Sequence, residues 1–178
     1  MKAVFQELYQ KYHQDLFQFL IYMVKDREQA EDLVQEVYIK VLKSYHTFKG
    51  ESSEKTWLFS IARHVAIDHF RKQANKRKRI LDFFDWGEQG EQLEDDRSLP
   101  EEVAQMNEEI RLVYRCLDKC TIDQKSVIIL RYIQSFSLQE TAETLGWSVS
   151  KVKTTQHRAI KALRQLLQGT NGEEGTIH

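Results

Sequence analysis

Two small clusters in the sequence contain residue types that bind metals. His64 and Asp68 are one helical turn apart and His69 follows, so this stretch could supply ligands to the metal of a hydrolase. A catalytic metal needs about three converging ligands and a retained water, and the sequence has no second histidine and aspartate cluster. The hydrolase is therefore the weaker alternative, and we expect no metal, no cofactor and no catalytic residue.

Cys116 and Cys120 also lie one turn apart, so they could form a metal-binding or redox pair. No histidine pattern accompanies them. Two ordinary thiols at the end of a helix are the favoured interpretation.

A third pattern, LGWSVSKVKTTQHRAIKALR, is typical of DNA binding. Gly146 can end one helix by adopting positive φ, and Ser148 can cap the next. On that helix Lys151, Thr154, Thr155 and Arg158 are spaced i, i+3, i+4 and i+7, which places them on one face. Arginine can form two hydrogen bonds to guanine, and threonine can contact a thymine methyl. Together with a short preceding helix, this predicts a helix-turn-helix rather than merely a solvated cationic helix.

Charge is distributed unevenly along the chain, although the net charge is only −1. The segment RKQANKRKR, residues 71–79, holds six basic residues and no acid. Residues 82–102 hold nine acids and one base, together with the only proline. Residues 147–164 are again basic, without a carboxylate. The small net charge therefore conceals two cationic surfaces separated by an acidic segment.

The elements that must position these residues are all helical. Seven glycines, one proline and the absence of strand-like alternation predict an all-α fold of two small helical domains. Residues 1–80 carry three apolar stripes of helical spacing, the second after a possible Asp26 cap. We predict a three-helix bundle at 1–80, an acidic flexible linker at 81–105, a second helical domain at 106–168 and a disordered tail at 169–178.

Capping signals divide the second domain into short helices. Thr121 and Gln124 form a capping box, and Ser137 can cap the helix that precedes Gly146. The longest apolar run of the chain, FLIYMV, is too short to cross a bilayer, and the first residues lack a signal sequence. We expect a cytoplasmic protein with no membrane insertion.

Two long segments of the chain resemble the extracytoplasmic-function sigma factors of the sigma-70 family. They are LFQFLIYMVKDREQAEDLVQEVYIKVLKSYHTFKGESSEKTWLFSIARHVAIDHFRK and CTIDQKSVIILRYIQSFSLQETAETLGWSVSKVKTTQHRAIKALRQLL. The resemblance implies a sigma2-like domain, a sigma4-like domain and a role in transcription initiation. The implied partners are promoter DNA, core RNA polymerase at its β′ clamp helices and β flap, and an anti-sigma factor.

The resemblance also assigns roles to residues of the first domain. It implies that Asp32, Gln35 and Glu36 bind the β′ clamp helices, although composition alone favours a solvated face. It implies that the following residues contact the minus-ten promoter element: Phe48, Lys49, Ser52, Thr56, Arg63, His64, Arg71 and Lys72. Many relatives have asparagine at the position of His64, so their base preference does not transfer. Trp57 could stack on a base, but its place on an apolar stripe favours core packing.

In the second domain the resemblance implies contacts with the minus-thirty-five element. The residues are Ser137, Lys151, Lys153, Thr154, Thr155, His157 and Arg158. Relatives often have arginine at position 155, and threonine cannot form two hydrogen bonds to guanine, so base choice there is open. The acidic linker is expected to follow the polymerase cleft rather than act as an inert tether. The main alternative function is a stand-alone helix-turn-helix regulator that binds a palindrome as a dimer.

Overall fold

The chain forms a helical structure in a computed structural model that describes residues 2–84 and 99–173. The first unit contains three helices, α1 (Lys2–Val24), α2 (Arg27–Ser44) and α3 (Glu54–Phe84). The second contains five: α4 (Glu101–Ala104), α5 (Glu108–Cys116), α6 (Ile122–Ile128), α7 (Leu138–Leu145) and α8 (Val149–Glu173). No strand occurs in the described ranges, and the all-α prediction is confirmed.

The first unit is built around the apolar stripes of its three helices. Asp26 caps α2 as predicted, because its carboxylate accepts a hydrogen bond of 2.9 Å from the Gln29 backbone N–H. Buried side chains of α2 and α3 pack against α1. Trp57 is half-buried, with its ring 4.9 Å from Phe48 and 5.8 Å from Tyr45, which supports the core-packing interpretation.

The capping signals of the second unit are confirmed. Thr121 and Gln124 form a capping box at the start of α6, and Ser137 and Glu140 form another at the start of α7. After α6 the chain continues as a short π-helical segment, Ile129–Ile133. These local contacts fix where each short helix begins.

The observed elements differ from the predicted boundaries at three places. Helix α3 continues to Phe84, past the predicted end of the first domain at residue 80. Helix α4 lies within the predicted linker, and its Val103 is fully buried because it packs into the core. Helix α8 continues to Glu173, past the predicted start of the tail, because Gly169 does not interrupt it. The central part of the predicted linker, residues 85–98, and the end of the tail, residues 174–178, lie outside the described residues.

The two units pack directly against each other. The Tyr22 ring lies 5.3 Å from Tyr114, and the Phe59 ring lies 5.1 Å from Phe136. Residues 19–23 of α1 are all buried, because one side of the helix faces its own bundle and the other faces the second unit. Within the described ranges, no helix is long and apolar enough to cross a membrane.

Candidate nucleic-acid and polymerase interfaces

The turn between α7 and α8 has the geometry of a helix-turn-helix. Gly146 adopts φ +68°, a left-handed conformation that a residue with a side chain rarely takes. Its backbone N–H closes the end of α7. The Ser148 hydroxyl then accepts a 3.1 Å hydrogen bond from the Lys151 backbone N–H and starts α8. Glycine and serine therefore set the direction in which α8 leaves the turn.

The outward face of α8 is open to solvent and polar. Its exposed members are Lys151, Lys153, Thr154, His157 and Arg158, and Thr155 is half-buried. Val152 and Ala159 on the opposite face are fully buried, which holds the helix in place. The face therefore combines positive charge with hydrogen-bonding side chains, as a major-groove helix requires.

Three side chains of this region also make contacts within the protein. The Lys151 ammonium lies 4.1 Å from the centre of the Trp147 ring. The Thr154 hydroxyl donates a 3.1 Å hydrogen bond to the Ser150 carbonyl oxygen. Ser137 is exposed, but its hydroxyl accepts the Glu140 backbone N–H at 3.0 Å. Ser137 therefore has a structural role as a cap.

The predicted minus-ten residues fall into exposed and buried groups. Lys49, His64, Arg71 and Lys72 are exposed, and Phe48 and Ser52 are half-buried. Thr56 and Arg63 are buried, with 3 % and 8 % of their surface exposed. In this arrangement of the two units, six of the eight predicted residues remain accessible and two do not.

Thr56 is buried because it belongs to the start of α3. Its hydroxyl oxygen accepts a hydrogen bond of 2.9 Å from the Ser53 hydroxyl. Its backbone N–H donates to the same Ser53 oxygen at 3.1 Å. The Ser53 oxygen thus caps the start of α3, and Thr56 packs beside it in this arrangement. A contact between Thr56 and DNA stays a prediction.

Arg63 is buried because the second unit covers it. Its guanidinium donates to the Asp123 carboxylate at 2.9 Å and, more weakly, to the Ser126 hydroxyl at 3.4 Å. The guanidinium carbon lies 5.4 Å from the centre of the Trp147 ring. Burial lowers the pKa of Arg63, and the Asp123 carboxylate opposes that change. The predicted DNA contact is thus occupied within the chain in this arrangement.

The residues of the hydrolase alternative have other partners. His64 Nδ1 donates to the Ser60 carbonyl oxygen at 2.7 Å if it carries the proton. The Asp68 carboxylate faces Lys40 at 3.9 Å and Arg71 at 3.8 Å. His69 Nε2 lies 3.0 Å from the Gln29 side-chain oxygen. In the part of the chain that the structure describes, no three residues of metal-binding type form a group.

Cys116 and Cys120 are free, buried thiols. Burial raises the pKa of both thiols, while the neighbouring lysines Lys25, Lys119 and Lys125 oppose that change. This environment is that of packing residues.

The predicted polymerase-binding residues lie on the outward side of α2. Asp32 and Gln35 are exposed and Glu36 is half-buried. The buried stripe of the same helix, including Leu33, Val34 and Val37, fixes this orientation. Next to Gln35 an open groove runs between α1 and α2, with Tyr9 and Tyr38 in its wall. The outward side of α2 is therefore free to contact a partner.

The sequence did not reveal the contribution of Asp123, Ser126 and Trp147 to the environment of Arg63. Asp123 has the ordinary place of an acid in the first turn of α6. The only signal was the apolar run at residues 19–23, where an all-round hydrophobic helix indicates packing on two sides. That signal predicts a contact but not its partners.

Comparison with known proteins assigns families to both units. Sigma-70 region 2 matches residues 8–76, and sigma-70 region 4 matches residues 110–163. The ECF RNA polymerase sigma factor SigX of Bacillus subtilis is 62 % identical, over 94 % of this chain and 86 % of that protein. RNA polymerase sigma factor YlaC of the same organism is 32 % identical, over 95 % of each chain.

A solved structure is similar over nearly the same range. It is the sigma factor RpoE in complex with the anti-sigma factor NepR from Bartonella quintana. The similarity covers 94 % of this chain and 98 % of that one, with a TM-score of 0.66 and 26 % identity. Both helical units are thus accounted for by one family.

Proposed function

The chain belongs to the extracytoplasmic-function sigma factors of the sigma-70 family, and we propose that its two units divide promoter recognition between them. Sigma factors of this family bind core RNA polymerase and direct transcription initiation at specific promoters. The first unit contacts polymerase and the minus-ten element, and the second contacts the minus-thirty-five element. The observation that carries this division is the exposed polar face of α8 directly after the Gly146 turn.

The upstream element is read by the outward face of α8. Arg158 is its best candidate for a base contact, since an exposed guanidinium can form two hydrogen bonds to guanine. Lys151 and Lys153 supply charge for the phosphates, while Thr154, Thr155 and His157 contact neighbouring groups. Ser137 acts indirectly, by capping α7.

The minus-ten element is bound by the loop before α3 and by the exposed side of α3. Lys49, Arg71 and Lys72 are exposed cations that can neutralise phosphates of a separated strand. Phe48 and Ser52 lie at the loop, and His64 projects from the helix between the loop and the cationic end. Arg63 joins this set only when the second unit moves away.

Polymerase is bound through the outward side of α2, where Asp32, Gln35 and Glu36 meet the β′ clamp helices. The second unit contacts the β flap. The predicted acidic linker, residues 81–105, follows the polymerase cleft, where its carboxylates resemble the charge of nucleic acid.

Regulation by an anti-sigma factor follows from the RpoE–NepR likeness, since the fold of this chain is similar over nearly its whole length. We place the protein in the cytoplasm, where polymerase works. It acts by binding and has no catalytic step of its own.

Run-off transcription with purified core RNA polymerase tests the proposed function. We expect the chain to direct polymerase to discrete start sites when a genomic promoter library is supplied. Core enzyme alone is the control and should yield no such starts. Failure on every promoter, together with a dimer that protects a palindrome without polymerase, would identify a stand-alone regulator instead.

A further inference from the structure

Arg63 lies in a contact between the two units that resembles a nucleic-acid site. We propose that the second unit occupies the strand-binding site at Arg63, so that the free chain competes with promoter DNA for its own first unit. This inference rests on the proposed function, because it takes Arg63 as a residue that binds the separated strand. It adds the identity of the internal competitor: Asp123, Ser126 and Trp147.

Each group around Arg63 has the chemistry of one part of a nucleotide. The Asp123 carboxylate, at 2.9 Å, presents an anionic oxygen as a phosphate would. The Trp147 ring, 5.4 Å from the guanidinium carbon, presents an aromatic surface as a base would. The Ser126 hydroxyl oxygen accepts a long hydrogen bond of 3.4 Å from the Arg63 guanidinium. A strand that binds Arg63 must therefore displace all three.

Rotation of the Arg63 side chain alone cannot open this site, because the second unit covers a longer part of α3. Two turns before Arg63, the Lys55 ammonium lies 4.1 Å from the centre of the Phe136 ring. Between them, Phe59 packs against the same Phe136 ring at 5.1 Å. Access to Arg63 thus requires the two units to separate.

The contact between the two units covers part of the surface proposed for the minus-ten element but not the surface proposed for the minus-thirty-five element. Arg63 is covered, whereas Lys151, Lys153 and Arg158 on α8 stay exposed. When the two units are packed together, which we call the closed chain, α8 can therefore contact the minus-thirty-five element while the strand-binding site lacks Arg63. When only a fraction of chains is open, the apparent dissociation constant for the strand rises in inverse proportion to that fraction.

Removal of the competing charge tests the proposal. Asp123→Asn keeps the size of the side chain, and 53 % of that side chain is exposed, so the fold of α6 should persist. We expect the full chain with Asp123→Asn to bind a short fluorescein-labelled single-stranded DNA of mixed sequence about threefold or more tightly. Glu109→Gln is the matched control, since Glu109 is an exposed acid in the first turn of α5. It should leave binding unchanged.

The packing of the two units against each other can be measured without DNA. The Lys25 ammonium and the Asp118 carboxylate lie 2.8 Å apart across the two units, within reach of a zero-length carbodiimide crosslink. Asp123→Asn should lower the yield of that crosslink, measured by mass spectrometry, and Glu109→Gln should not. Ser126→Ala should shift both measurements in the same direction by less, which provides a second variant if Asp123→Asn is unstable.

A double variant separates competition from simple loss of negative charge. In an Arg63→Gln chain, adding Asp123→Asn should give no further gain in DNA binding, because the competed residue is absent. A gain that persists there would overturn the proposal. So would a lower crosslink yield with unchanged DNA binding in the single variant. Failure of the proposed function would show instead as absence of transcription with polymerase, whatever the crosslink yield.

Discussion

Arg158 lies on the exposed face of α8 and is the residue for which base recognition can be separated from charge. We expect Arg158→Ala to weaken holoenzyme binding to its promoter by about 1–3 kcal/mol if the guanidinium contacts a base. Binding is measured by fluorescence anisotropy on the natural and a scrambled upstream element. Arg115→Ala, which removes an exposed arginine of α5, is the control. Equal loss on both elements would show that Arg158 contacts only phosphate.

His69 links the stability of the first unit to pH. Burial lowers the pKa of His69, with a smaller contribution from Lys72 in the same direction, while Glu36 and Asp26 oppose it. In the unfolded chain the imidazole titrates near its ordinary pKa of about 6.5. Between the two pKa values the unfolded state binds more protons, so this contribution to stability is present above about pH 6.5 and is lost as pH falls through the folded pKa.

The expected consequence is a steeper acid dependence in the unchanged chain than in His69→Gln, which has no proton to gain there. Urea denaturation at a series of pH values from about 7 to about 5 measures the difference in unfolding free energy. The unchanged chain should lose stability relative to the variant as pH falls. Parallel curves would contradict the lowered pKa.

At the scale of single elements, the starts and ends of helices could be predicted because they depend on neighbouring residues. Asp26, Thr121, Ser137 and Ser148 cap their helices as expected. The outward face of α8 followed from helical spacing alone. The extension of α8 through Gly169 was missed, because glycine signals a helix end only where the backbone turns left-handed.

Gly146 and Gly169 give a direct test of that distinction. Gly146→Ala should cost about 1–2 kcal/mol of unfolding free energy, because alanine is strained at φ +68° although its Cβ would meet no atom within 4 Å. A Cβ added at Gly169 would also meet no atom within 4 Å, and Gly169 lies within a helix. Gly169→Ala should therefore not lower the unfolding free energy. Chemical denaturation of both variants decides the point. Equal effects would show that backbone conformation does not determine the role of Gly146.

The outward side of α2 can be tested as one surface. We expect Gln35→Lys combined with Glu36→Lys to weaken assembly with core polymerase, because two positive charges replace a neutral and a negative group. Assembly is measured by co-purification and by gel filtration. The control, Gln6→Lys combined with Glu7→Lys, makes the same change on exposed positions of α1. Unchanged assembly in the α2 variant would remove these residues from the polymerase interface.

At the scale of the whole molecule, the contact between the two units is the feature that sequence patterns did not define. Helical periodicity identifies the apolar side of one helix, but it does not say which distant segment covers a second side. Residues 19–23 showed only that α1 is surrounded. The partners are residues of the second unit, such as Tyr114 against Tyr22, more than ninety positions along the chain. This long-range packing is what buries Arg63.

Phe136 lies in that contact, and we expect it to couple the stability of the two units. It is almost fully buried, against Phe59 and under the Lys55 ammonium. We expect Phe136→Ala to cost about 3–5 kcal/mol and to divide one cooperative unfolding transition into two, because the units lose their shared packing. Hydrogen exchange of α3 and α7, followed through urea denaturation, resolves the two transitions. Tyr132→Ala, at a neighbouring side chain that is 51 % exposed, should keep a single transition. A single transition in both variants would mean that the units are coupled through the polar contacts of Arg63 and Lys25 rather than through Phe136.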